Sequence, residues 1–300
     1  FRIGCIYFNM EALHSGINSE ALVNGLTNVG TKDWWKSPTS IAWCDGTFNV
    51  VWGCTKVSEG CKNCYALELS KTWGFGSTRP SLWGAIKSTK SDKGYNVEMG
   101  RRVFGSDYWN KLLKWNQMAR DKNSIVMVFT SSMADNFEKH PTTARELEKL
   151  WSYIRKTPNI HYQILTKRAE RIRESLPEDW YEYENGYPNV WLGVSVESNE
   201  VAYRFNDHLA DIPAAVRFMS YEPAIGPLTD IRWEQLDWLI AGGESGPQRR
   251  PFEHDWARYV HQQCKVHGVA FFYKQDTAFR SSSNPYLDGK KYYEFPFPRA

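Results

Sequence analysis

Three of the six cysteines, Cys54, Cys61 and Cys64, fall close together in the spacing C-x6-C-x2-C. Thiolates three positions apart can converge on one metal centre, and a third on the preceding loop can reach the same centre. Three thiolates are one short of a closed structural zinc site. The open position left over is what a catalytic centre uses. On a 4Fe–4S cluster, three cysteines would leave one iron open to a substrate or cofactor. Two other readings stand beside this one. In the first, Cys44 of IAWCDGT serves as fourth ligand to a structural zinc. In the second, the thiols are inert, and Cys44 is a small buried hydrophobe. Cys5 and Cys264 are expected to ligate nothing, and Cys264, in HQQCKVHG, reads as helix core. The N-terminal stretch FRIGCIYFNMEALHSG lacks the basic and apolar regions of a secretion signal, so a disulfide framework is the poorer reading.

The elements that must position these thiols show in the hydrophobic pattern. Apolar runs over Phe48–Trp52, Ile125–Thr130, His161–Thr166, Val190–Val196, Val216–Ser220, Trp238–Ala241 and Val269–Tyr273 are nearly continuous. Strands buried on both faces have that character. Helical patterns lie between them, over Cys61–Thr72, Tyr108–Arg120, Thr142–Lys156, Arg168–Leu176, Glu200–Ala210 and Glu253–His267. Thr143 and Glu146 stand at capping-box spacing, and Gly268 is placed to stop the last helix. Repeated strand and helix predict an α/β fold with a mostly parallel sheet, a full or partial (β/α) barrel. A doubly wound open sheet competes, but no G-x-G-x-x-G opens it. Residues 1–40 read as an N-terminal extension with a helix over Met10–Leu26, and residues 41–300 as the barrel domain.

In both architectures chemistry collects at the C-terminal strand ends. The residues there are Ser131, Ser132 and Asp135, then Lys167, Glu197, Glu222, then Gly242, Gly243 and Glu244, then Lys274 and Gln275. A carboxylate at a strand end can bind ribose hydroxyls or move a proton, and a lysine can bind a carboxylate or phosphate. Gly242 and Gly243 permit close backbone approach. Arg249 and Arg250, with Arg168, Arg171 and Arg173, form either a phosphate-binding patch or a solvated charged face. The chain has 14 Trp, of which Trp109, Trp115 and Trp151 sit at helical spacing and read as core. With 37 basic and 34 acidic residues, the net charge of +3 argues for neither nucleic acid nor a membrane. No apolar run is long enough to span a bilayer.

The block WGCTKVSEGCKNCYALEL, preceded by IAWCDGTFNVVWGC, resembles the phage and prophage family known for a three-cysteine motif, which is similar to radical S-adenosylmethionine (SAM) enzymes. VFTSSMADNF, QILTKR, VWLGVSVES, SYEPAIGPL, LIAGGESGPQRRP and FFYKQ read like its further blocks, in order, over roughly residues 39–276. The resemblance implies a radical SAM-type partial barrel in which Cys54, Cys61 and Cys64 each hold one iron of a 4Fe–4S cluster. Its cofactors would be the cluster and SAM. An electron donor would be a partner, and SAM would be cleaved to a 5′-deoxyadenosyl radical. Ser131, Ser132, Asp135, Glu197, Gly242, Gly243 and Gln275 would serve the cofactor, with Ser132 and Asp135 at the methionyl end of SAM. Lys167, Glu222, Glu244 and Lys274 would be catalytic. The substrate would be a nucleobase or nucleic acid, and the setting the cytoplasm of a bacterial or phage-infected cell.

The sequence departs from the radical SAM pattern in three places. The first cysteine gap is longer than C-x3-C-x2-C, Asn63 replaces the aromatic before the last cysteine, and Gly242-Gly243-Glu244 follows the sixth strand instead of the second. A non-catalytic zinc or iron–sulfur module that binds nucleic acid or a protein is the alternative. An ordinary barrel hydrolase using Glu197 and Glu222 is a third.

Overall fold

The computed structural model describes residues 39, 41–79, 81–84, 96–280 and 283–296. The expected extension over residues 1–40, with its helix over Met10–Leu26 and with Cys5, lies outside them except for Thr39.

The strands are β1 (Gly46–Phe48), β2 (Val97–Glu98), β3 (Arg101–Arg102), β4 (Val126–Thr130), β5 (Ile160–Thr166), β6 (Val190–Ser195), β7 (Val216–Tyr221), β8 (Trp238–Gly242) and β9 (Ala270–Gln275). Seven of them form one sheet in the order β1-β4-β5-β6-β7-β8-β9, and every pairing in it is parallel. The sheet curls into a half-barrel, the partial form of the expected (β/α) barrel. β2 and β3 make a separate antiparallel pair.

The helices are α1 (Tyr65–Thr72), α2 (Ser106–Asp121), α3 (Pro141–Ile154), α4 (Ile172–Ser175), α5 (Tyr203–Asn206) and α6 (His254–His267). α6 ends at Gly268, whose φ of 71° no β-branched residue would tolerate. No helix among the described residues is long and apolar enough to cross a membrane.

Alternation along each strand divides the core. Val126, Val128, Tyr162, Ile164, Leu192 and Val194 face outward into the cluster shared with the helices. Met127, Phe129, Trp191, Phe218, Trp238 and Phe272 face inward, where Trp43 and Cys44 join them. Trp43 and Trp191 both meet Trp238 edge-on, at 6.1 and 5.7 Å. Aromatic rings thus fill the floor of the half-barrel. Both sheet faces are dry, which is why the strands read as unbroken apolar runs. Trp109 and Trp151 are buried in the outer cluster and Trp115 packs against it, as the helical spacing requires.

The structure corrects several boundaries. The first run was expected as a strand over Phe48–Trp52, but β1 ends at Phe48. The Asn49 side-chain oxygen there accepts the Met133 N–H at 2.7 Å, and the Asn49 backbone N–H donates to the Tyr108 hydroxyl. Val50 and Val51 are buried outside the sheet, so their apolarity reports core packing and not pairing. The capping box of Thr143 and Glu146 does not form. Pro141, with its fixed φ and no N–H, starts α3 with His140 at the N-cap, three residues before Thr143. Thr143 Oγ1 is left without a partner, and Glu146 pairs with Arg145 at 2.6 Å. The helices expected over Arg168–Leu176 and Glu200–Ala210 shrink to 3-10 turns followed by α4 and α5. Pro177 disfavours helical backbone at Leu176 and stops α4.

Candidate functional site

Parallel strands bring all their C-terminal ends to one rim, and the long crossover from β1 to β4 carries the cysteines onto it. Cys54 bridges to Trp83, and Gly53 just before it has φ 114° with room for no side chain, since a Cβ would lie 2.3 Å from Leu82 O. Beyond Cys54 the chain is drawn across the rim by contacts with three different strand ends. Ser58 Oγ donates to Glu197 Oε1 at 3.2 Å. Asn63 Nδ2 donates to Glu244 Oε2 at 3.0 Å and to Gln248 O at 2.7 Å. The Tyr65 hydroxyl donates to Ser132 O at 2.8 Å. Arg250 Nη1 donates to Glu59 O at 3.1 Å. Gly60 sits flat on Glu197, where a Cβ would fall 2.2 Å from Oε1.

The strand-end carboxylates are therefore held from below by cations and used from above by the loop. Glu197 takes the Lys167 ammonium on one oxygen and Arg204 Nη1, at 2.8 Å, on the other. Burial alone would raise its pKa, but Lys167 and Arg204 outweigh burial and hold it below the usual carboxylate range. Glu244 behaves likewise. Burial opposes its charge, and hydrogen bonds from Arg250 and Asn63 restore it and lower the pKa; Arg250 Nη2 lies 2.6 Å from Oε1. Asp135 accepts from Thr166 Oγ1 at 2.7 Å, from the Lys167 N–H at 3.1 Å and from Arg168 Nη1 at 2.9 Å.

A second group lies beside this one. Lys274 Nζ is 2.8 Å from Glu222 Oε1, and Ser220 Oγ donates to Glu222 Oε2 at 3.2 Å. Gly242 leaves their path clear, because a Cβ there would meet Glu222 Oε1 at 2.8 Å. The bond between Glu222 and Pro223 is cis. Gly243 packs on the Thr277 backbone and exchanges hydrogen bonds with Gln275, N–H to O at 3.1 Å and Nε2 to O at 2.8 Å. Gln275 thereby ties the C-terminal ends of β8 and β9 together. Ser131 stands in the left-handed region at φ 67° with its hydroxyl turned to Asn136. Ser132 lies on the rim, sharing Asn49.

Cys54, Cys61 and Cys64 are half-buried and form no disulfide. Burial pushes the Cys54 thiol up to about 12, Asp135 adds to the shift, and Arg168 opposes it. Burial also raises Cys64, against the pull of its backbone hydrogen bonds and of Lys167, while Cys61 adds to the shift. Ligation requires thiolates, and the two cations of Thr166-Lys167-Arg168 are the groups placed to favour them. Among the described residues no three His, Cys, Asp or Glu side chains converge on a single ion. A cuboidal cluster differs from a lone zinc in binding each thiolate through a separate iron. Three half-buried thiols flanked by two cations are a donor set of the kind such a cluster takes.

Sequence reasoning missed Ser58, saw in Asn63 only a departure from the cysteine motif, and grouped Arg168 with the other basic residues. Arg168 is not part of a surface patch with Arg171, Arg173, Arg249 and Arg250, since it is only 6% exposed and turned inward to Asp135 and Cys54. It also missed the stacked pair Trp52 and Trp73, with centroids 4.6 Å apart and planes 15° apart, and Arg102 lying 4.2 Å over Trp52.

A family model described as "Protein of unknown function (DUF5131)" matches residues 38–296. No curated protein and no solved structure matches the chain significantly.

Proposed function

We propose that this chain, which belongs to the DUF5131 family, is an enzyme of the radical SAM type, with Cys54, Cys61 and Cys64 each holding one iron of a 4Fe–4S cluster. The observation that carries the reading is the loop itself. It bears three unpaired thiols, lies across the strand ends of a parallel half-barrel, and is fastened there by Glu197, Glu244 and Ser132. When bound, the cluster with SAM supplies one-electron chemistry and a 5′-deoxyadenosyl radical. The chain supplies the rest. Glu197 and Glu244 hold the loop, and Lys167 and Arg168 set positive charge beside its thiols. Ser132, on the rim, would serve the methionyl end of SAM, while Asp135, expected beside it in that role, is committed to Thr166, Lys167 and Arg168. Glu222 and Lys274, 2.8 Å apart on the concave face, are placed to take up or deliver a proton.

Protein purified and reconstituted without oxygen is expected to hold about four irons per chain. After dithionite reduction it is expected to give a low-temperature EPR signal that SAM perturbs. Stoichiometric zinc with no iron uptake overturns the reading in favour of the zinc module.

For the substrate we propose a single-stranded nucleic acid. Trp73 is 39% exposed and closes α1 with one ring face stacked on Trp52, so a base could stack on its other face. Stacking of this kind contributes about 1–3 kcal/mol per base. Trp73→Ala is expected to weaken binding of a labelled oligonucleotide about tenfold, read by fluorescence anisotropy. Unchanged binding removes nucleic acid from the proposal.

A further inference from the structure

We infer that Arg168 is a positioning residue for Cys54 and tunes the centre this cysteine joins, an inference that rests on the cluster reading above. The guanidinium is buried and has four neighbours. Nη1 lies 3.6 Å from Cys54 Sγ and 2.9 Å from Asp135 Oδ2. Nη2 donates to Thr55 O at 2.6 Å and lies 3.7 Å from Glu138 Oε1. The planar fork thus grips the sulfur of one residue and the carbonyl of the next, a two-point hold that a lysine cannot copy. Its own orientation is fixed in turn. Asp135 receives Thr166 Oγ1, the Lys167 N–H and the Phe137 N–H, so the carboxylate cannot swing away and take Arg168 with it.

Two effects on a metal-bound Cys54 follow. An N–H directed at a ligating sulfur, and a positive charge beside it, both stabilise the more negative, reduced form of an iron–sulfur centre and raise its potential. Removing Arg168 takes both away and also leaves Asp135 and Glu138 facing the sulfur with one cation fewer, so every effect of the removal lowers the potential. Reading Arg168 as part of a solvated charged face assigns none of this, because it places the side chain in solvent.

The test compares wild type, Arg168→Gln and Arg168→Lys after anaerobic reconstitution. Arg168→Gln is expected to shift the midpoint potential to more negative values, with Arg168→Lys, which keeps the charge and loses the fork, in between. Wild-type iron content and wild-type potential in Arg168→Gln overturn the inference. If Arg168→Gln binds no iron, hydrogen exchange in the unloaded protein decides. Faster exchange at residues 54–57 with β5 unchanged supports the positioning role, and exchange equal to wild type overturns it. A wild-type protein that takes up no iron defeats the parent reading instead, and leaves the exchange comparison to judge the hold on Cys54.

Discussion

Glu138→Gln is expected to destabilise the fold by about 3–5 kcal/mol, because it breaks a buried ion pair from one side. Arg101 is 1% exposed and Glu138 5%. The pair is bidentate, with Nε to Oε2 at 2.8 Å and Nη2 to Oε1 at 2.7 Å. The same guanidinium donates to Leu82 O, Gly84 O and Thr55 Oγ1, so it ties β3 to the base of the cysteine loop. A neutral amide at 138 leaves that cation in a dry site without its counter-charge. The loss should appear as a drop of roughly 10 °C in Tm and a lower urea midpoint. The double change Arg101→Met with Glu138→Leu should cost less than Glu138→Gln alone, since no charge is then stranded. The pH dependence has a definite sign. Burial works against the Glu138 charge, but Arg101 wins and lowers its pKa from 4.5. A carboxylate with a depressed folded pKa contributes stability that is fully present above the unfolded value and is lost as pH falls through the folded one. Wild type should therefore lose this contribution only below about pH 4.5, and Glu138→Gln should show a flatter acid limb. Equal stability of the two proteins at neutral pH would show that the pair holds nothing.

The pattern of apolar runs was enough to find β4 to β9, because each of those strands is buried on both faces and so carries its burial in a continuous stretch. β1 was misplaced for the complementary reason. Val50 and Val51 are as dry as any strand residue, yet they pack in the core beyond the sheet. β2 and β3 have two residues each, too few for any period to show. At the rim, the types Lys167, Glu197, Glu222, Glu244 and Lys274 were legible from the rule that parallel strand ends share one mouth. Their partners were not. Asn63 reaches Glu244 across 181 positions and Arg168 reaches Cys54 across 114. Such pairs leave no local trace, and Arg168, next to Lys167 and ahead of Arg171 and Arg173, looks from sequence like one more solvated cation. Glu197 and Glu244, read as ligand-binding groups in the sequence, hold in the fold the loop that bears the thiols.

Cys61→Ala is expected to reduce iron and sulfide to background and to abolish the EPR signal, while Cys44→Ser leaves both near wild type. Cys44 is 3% exposed among inward-facing aromatic residues, its sulfur 3.8 Å from Ile41 O. To serve as a fourth zinc ligand it would have to stand with the other three thiols around one ion at Zn–S distances of about 2.3 Å. No such convergence exists among the described residues. The three rim cysteines need no such convergence to hold a cluster, because each meets a different iron. Cys61 is the informative one to remove. Cys54 is tied to Arg168 and Cys64 stands at the N-cap position of α1, so changes there bear on packing or on the helix start, whereas among the described residues the Cys61 sulfur has a single hydrogen-bonding neighbour, Ser58 Oγ at 4.0 Å. Its loss should spare the melting temperature and take the metal. Zinc lost from Cys44→Ser, with iron absent throughout, would move Cys44 into the ligand set and make the rim a structural zinc site.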